Sequence, residues 1–175
     1  MANPPTLHLG HGASGNAASM RPYVDGLVRR GLTATAVDLP VKKAEDAVSN
    51  WRAAVPDGPG IAVGGQSYGG RVASLAAAEP ETGYAALVLV SYPLHPPGRS
   101  ALAEGRVTHW PRITCPVLLL SGEADPMAPI DRLRTFVKLL PDAELVTYPR
   151  LGHTVKPVLD DVLDRVAAFL RGVAR

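Results

Sequence analysis

The sequence predicts an α/β fold, a mostly parallel sheet of about six strands with helices on both faces and no cap domain. Three observations predict it. Short apolar runs alternate with segments of helical period, the order that yields a parallel sheet covered by helices. The runs at Ala85–Ser91 and Pro116–Ser121 are continuously hydrophobic, as strands covered on both sides must be. Glycine and proline contribute 17 residues each, enough for the many short connections this architecture needs.

Each element has its own signal. Thr6–Leu9 reads as a first strand running into the glycine-rich turn from Gly10 to Gly15. Met20, Tyr23, Val24, Leu27 and Val28 recur at helical spacing, and Gly31 suits the end of that helix. Leu32–Val37 is a second strand. Ala44, Ala47, Val48 and Trp51 mark a second helix, stopped by Pro56 and Gly58. Gly60–Gly64 is a third strand feeding Gly65-Gln66-Ser67-Tyr68-Gly69-Gly70, after which an alanine-rich helix continues to Pro80. Ala85–Ser91 is the fourth strand, and the segment from Tyr92 to Pro111 is a proline-rich loop. Pro116–Ser121 is the fifth strand, followed by a helix through Ile130, Leu133, Val137 and Leu140. Glu144–Tyr148 is the last strand, and Leu159, Val162, Leu163, Val166 and Leu170 form a closing amphipathic helix.

The 175 residues, 46% hydrophobic and 19% charged, are expected to form one domain over 1–175. A single cysteine, Cys115, excludes an intrachain disulfide and a Cys-rich metal site, and it reads as a buried structural thiol. A net charge of +2 spread over scattered basic residues argues against nucleic acid as a partner. No basic n-region precedes an apolar stretch, and no apolar run spans a bilayer. A cytoplasmic protein without a membrane span is therefore expected; the oligomeric state is left open.

Gly65-Gln66-Ser67-Tyr68-Gly69 matches Gly-x-Ser-x-Gly between a strand and a helix of small residues. That pattern serves a turn so tight that the serine is lifted above the sheet, with flanking glycines avoiding collisions. A serine hydroxyl is a poor nucleophile at neutral pH and needs a base with an orienting acid. Asp125 follows the fifth strand and His153 the last, both at carboxyl ends of strands, where open α/β sheets place their sites. Taken alone, Asp125 is an ordinary turn residue and His153 an ordinary loop histidine. Their order after Ser67 is what favours a Ser67-Asp125-His153 triad, with Glu123 as the rival acid. Tetrahedral intermediates need N–H donors. Tyr68, next after the serine, is one candidate; the other is Ala13, with Ser14 second. Ser14, Tyr92, Leu94 and His95 are further candidates for contact with substrate. No histidine pair has metal-ligand spacing beside an acid, so neither metal nor cofactor is expected.

His11-Gly12-x-x-Gly15, Gly65-x-Ser67-x-Gly69, Asp125-Pro126 and Gly152-His153 together resemble an α/β-hydrolase. From about Leu7 to Phe169 the chain is most similar to the short, lidless, dienelactone-hydrolase-like branch. The resemblance implies Ser67 as nucleophile, Asp125 as acid and His153 as base. Dienelactone hydrolases carry cysteine at the elbow, so Ser67 points away from their substrate. The chain also starts at the strand before the oxyanion loop, so the first two strands of the usual fold are expected to be missing. The reading is a serine hydrolase cleaving small-molecule carboxylic esters, with short-chain or exposed acyl groups, through an acyl-enzyme. Activity is expected to fall on the acid side of neutrality, because a histidine base must be neutral to take the serine proton. The alternatives are a non-catalytic interaction module of the same fold and an acyltransferase using an acceptor other than water.

Overall fold

The computed structural model describes residues 2–174. Six strands form one sheet: β1 (Thr6–Gly10), β2 (Ala34–Val37), β3 (Ile61–Gln66), β4 (Ala86–Val90), β5 (Val117–Gly122) and β6 (Ala143–Tyr148). Their spatial order is β2-β1-β3-β4-β5-β6, and all five neighbouring pairs are parallel. Among the described residues, four α-helices lie between strands, α1 (Arg21–Val28), α2 (Ala44–Ala54), α3 (Tyr68–Ala77) and α4 (Ile130–Val137), and α5 (Leu159–Val173) follows β6.

Alternation along the central strands divides the core into two layers. Leu87, Leu89, Val117 and Leu119 face Trp51 of α2, Val72 of α3 and Leu133 of α4. Ala86, Val88, Val90, Leu118 and Leu120 face Leu27 of α1 and Val162, Leu163 and Val166 of α5. β4 and β5 are buried along their whole length, which accounts for their unbroken apolar sequence. Fully buried Trp51 anchors the first layer, where truncation to alanine costs about 3–5 kcal/mol.

Differences from the sequence reading lie at element ends. β2 begins at Ala34, not Leu32, because the Leu32 N–H turns back to the Leu27 carbonyl and finishes α1. β3 runs on to Gln66, since Gly65 and Gln66 still pair with Gly10 and Val90. The turn before α1 is a short 3-10 helix, Ala17–Met20, whose Asn16 side chain accepts from the Ser19 N–H.

The connection from β4 to β5 holds three single-turn 3-10 helices and no cap domain. It is far from a solvated loop. Tyr92, Leu94, Ala103, Val107, Trp110 and Ile113 are all buried within the first core layer.

Candidate active site

The turn from β3 into α3 is made at a single residue. Ser67 caps α3 with φ 49° and ψ −112°, a region that costs a non-glycine residue about 1–3 kcal/mol. The surroundings hold it there: its N–H donates to the Val90 carbonyl at 2.9 Å, and its carbonyl accepts from the Arg71 N–H at 3.1 Å. Close packing of α3 against β1 adds a second constraint. A methyl on Gly69 would stand 2.2 Å from the Gly10 carbonyl carbon, so the first turn of α3 tolerates no side chain there.

Asp125 stands just past β5 and His153 beyond β6, so both reach the same end of the sheet as Ser67. His153 Nε2 lies 2.9 Å from Ser67 Oγ, and His153 Nδ1 lies 2.7 Å from Asp125 Oδ2. The Asp125 side chain is fully buried, and its Oδ1 accepts from the Met127 N–H at 2.9 Å. An ionised carboxylate only accepts, so Nδ1 carries the imidazole proton and Nε2 is left to accept from the serine hydroxyl. Glu123, the rival acid, points elsewhere: its Oε1 accepts from Thr147 Oγ1 at 2.7 Å and from Arg134.

The His153 loop is seated on the end of β5. The Ala124 N–H donates to the Leu151 carbonyl at 2.9 Å, and the backbone of Leu151 and Gly152 lies directly over Gly122. On the other side of Ser67, buried His11 fixes the glycine-rich loop. Its Nε2 accepts from the Leu39 N–H at 2.9 Å, which leaves Nδ1–H to donate to the Gly12 carbonyl at 2.7 Å. Ala13 and Tyr68 line the cavity beside Ser67. Among the described residues neither backbone N–H has an acceptor. At Tyr68 this follows from its place as first residue of α3, where no preceding turn exists to bond it.

Three residues expected on the pocket wall are corrected by the structure. Tyr92, Leu94 and His95 are buried and lie outside the cavity lining. Their positions follow from packing and hydrogen bonding. Tyr92 meets Trp110 edge-on, with ring centroids 5.1 Å apart, and its hydroxyl donates to the Arg106 carbonyl at 2.6 Å. The His95 N–H donates to the Met127 carbonyl at 3.2 Å. These side chains hold the wall from behind, and Pro93, Arg106 and Met127 form it. Ser14 is exposed and outside the lining as well. The sequence reading passed over Arg71 and Arg106. Arg71 carried a usable signal, a lone charge one turn after Ser67 in an otherwise small and apolar helix; Arg106 sits in an aperiodic loop that offers none. Cys115 is away from this region, and burial pushes its thiol up to about 11, where the reactive thiolate is scarce.

Comparison with known proteins agrees with the fold. A family model described as an alpha/beta hydrolase domain matches residues 29–169, so the chain belongs to the α/β-hydrolase family. Its fold is similar to that of Est1E from Butyrivibrio proteoclasticus, solved with ferulic acid bound. The TM-score is 0.79 at 19% identity, covering 97% of this chain and 89% of that one. The Pyrococcus furiosus esterase gives 0.78 at 18% identity, covering 99% and 83%. The Paleococcus ferrophilus monoacylglycerol lipase gives 0.78 at 15% identity, covering 98% and 97%. A curated relative, acyl-protein thioesterase 1 of Gibberella zeae, is 40% identical over 60 residues. That match spans 32% of this chain and 24% of the relative. Among the described residues, no helix is long and apolar enough to cross a membrane.

Proposed function

We propose that the chain is a serine hydrolase that cleaves carboxylic esters through an acyl-enzyme. The observation that carries this reading is the Ser67–His153–Asp125 hydrogen-bonded chain, with Ser67 lifted into a strained conformation at the cavity. As Ser67 Oγ attacks the ester carbonyl, its proton passes to His153 Nε2, and Asp125 steadies the imidazolium through Nδ1–H. The developing oxyanion takes the Ala13 and Tyr68 N–H groups. His153 then returns the proton to the departing alkoxide. Water, deprotonated by the same nitrogen, releases the acid and restores Ser67.

Thioesters are open to the same attack, and the partly matching relative from Gibberella zeae is an acyl-protein thioesterase. A cavity of about 270 Å³, bordered by loops and by the first turns of α2 and α3 with no helical cap over it, suits short acyl groups or bonds exposed on a larger molecule. The test is turnover of 4-nitrophenyl acetate together with fluorophosphonate labelling. Wild type is expected to turn over and to label, and Ser67→Ala to lose both, with kcat down by about four to six orders of magnitude. Folded wild-type protein that neither labels nor turns over would make the chain a binding module. Release of acyl product to an added thiol in preference to water would make it a transferase.

A further inference from the structure

The cavity beside Ser67 carries an unbalanced charge. Lys42, Lys43, Arg71 and Arg106 line it, against the single carboxylate of Glu45. The two lysines are exposed at the rim, whereas Arg71 is only 7% exposed and Arg106 is half-buried. Glu45 Oε1 accepts from Arg71 Nη2 at 2.5 Å, which offsets one of the four cations. Arg71 Nη1 is buried with no acceptor among the described residues. Among the described residues, Arg106 Nη1 has only a neutral partner, the Pro93 carbonyl at 3.2 Å. Burial, then repulsion from Arg71, holds the Arg106 guanidinium below its ordinary value.

Solvated cations on an outer face need no partner, but guanidiniums withdrawn from water do. The helix ends add to the same field. Lys43, Ala44 and Glu45 open α2, Ser67 and Tyr68 open α3, and both N-terminal turns border the cavity with their partial positive charge. Asp46, on the same turn of α2, is outside the lining. A cleft walled by one sign of charge concentrates ligands of the other sign.

We propose that this cavity receives a carboxylate carried by the substrate, so that the ester cleaved is an anionic one. The half-ester of a dicarboxylic acid is one form, and the ester of a hydroxy-acid is the other. The planar fork of half-buried Arg106, beside the Arg71 guanidinium, suits a carboxylate better than a lysine alone would. The inference rests on the serine-hydrolase reading for the bond that is cut; the anion site itself does not.

Two matched pairs test it: 4-nitrophenyl hydrogen adipate against its methyl ester, and 4-acetoxybenzoate against its methyl ester. Wild type is expected to favour the carboxylate member of at least one pair by roughly 10- to 100-fold in kcat/KM, the range for one charge-assisted hydrogen bond. That advantage should shrink at high salt. It should collapse in Arg106→Met and weaken in Lys42→Gln/Lys43→Gln, whose surface changes spare the core. Binding of adipate to Ser67→Ala, measured by calorimetry, reads the anion site without turnover. Equal rates within both pairs and no adipate binding would overturn the anion site while leaving the hydrolase standing. Arg106-dependent adipate binding without hydrolysis of any ester would do the reverse.

Discussion

Gly122→Ala should disable the site by displacing His153, 31 residues further along the sequence, while leaving Ser67 untouched. A methyl group at Gly122 would stand 2.1 Å from the Leu151 carbonyl oxygen and 2.3 Å from that of Gly152, where ordinary contact begins at 3.4 Å. Both obstacles are backbone, so no side chain can rotate away. The segment carrying His153 must retreat by roughly an ångström, and a displacement of that size costs about 100-fold in rate. Crowding of this kind also costs about 1–3 kcal/mol of stability. Gly152→Ala supplies the contrast. A methyl there meets nothing within 4 Å, although the residue adjoins His153. The assay is kcat/KM on 4-nitrophenyl acetate for both variants, alongside urea unfolding at the same pH. Gly122→Ala is expected to lose about two orders of magnitude while still folded, and Gly152→Ala to stay within a few-fold of wild type. Wild-type kcat/KM in Gly122→Ala would refute the claim that β5 seats the base.

Two further outcomes follow from the same geometry. Asp125→Asn removes the acceptor that keeps the proton on His153 Nδ1, so kcat should fall by about 10³ to 10⁴. Fluorophosphonate labelling should slow with it, and retained labelling speed would count against Asp125 as the orienting acid. His109 is buried, and its Nε2 lies 2.9 Å from Ser74 Oγ; burial, aided by Arg71 and Arg112, lowers it to about 4 from 6.5. Above pH 6.5 it is neutral in both states; as the pH falls towards 4, only the unfolded chain takes up the proton. Stability is therefore lost through that window, by up to roughly 3 kcal/mol. His109→Gln should flatten the decline in urea midpoint between pH 7 and pH 4, and an unchanged decline would remove His109 as its cause.

The strands were legible because each has an apolar run bounded by glycine or proline, and their ends shifted by no more than two residues. Ser67, Asp125 and His153 were legible for a related reason: each follows one of those strands, so sequence order alone brings them to one end of the sheet. The segment after β4 was not legible. Its apolar residues follow no helical or strand period, so Tyr92, Leu94 and His95 passed for a pocket wall when they are core. Arg106 was hidden in the same way, since its place on the cavity depends on the Tyr92 and Pro93 contacts that fold that segment.

A sheet built wholly from parallel neighbours contains no hairpin, so no two adjacent strands can pair until the chain between them has formed its crossover. During synthesis β2, β1 and β3 can assemble first, and Ser67 arrives with them. Its strained backbone lacks the Val90 carbonyl until β4 is added. Asp125 comes only after β5 and His153 only after β6. Under the proposed mechanism, a partly made chain holds a serine with no partner to deprotonate it, and reactivity would be switched on by the docking of the last strand.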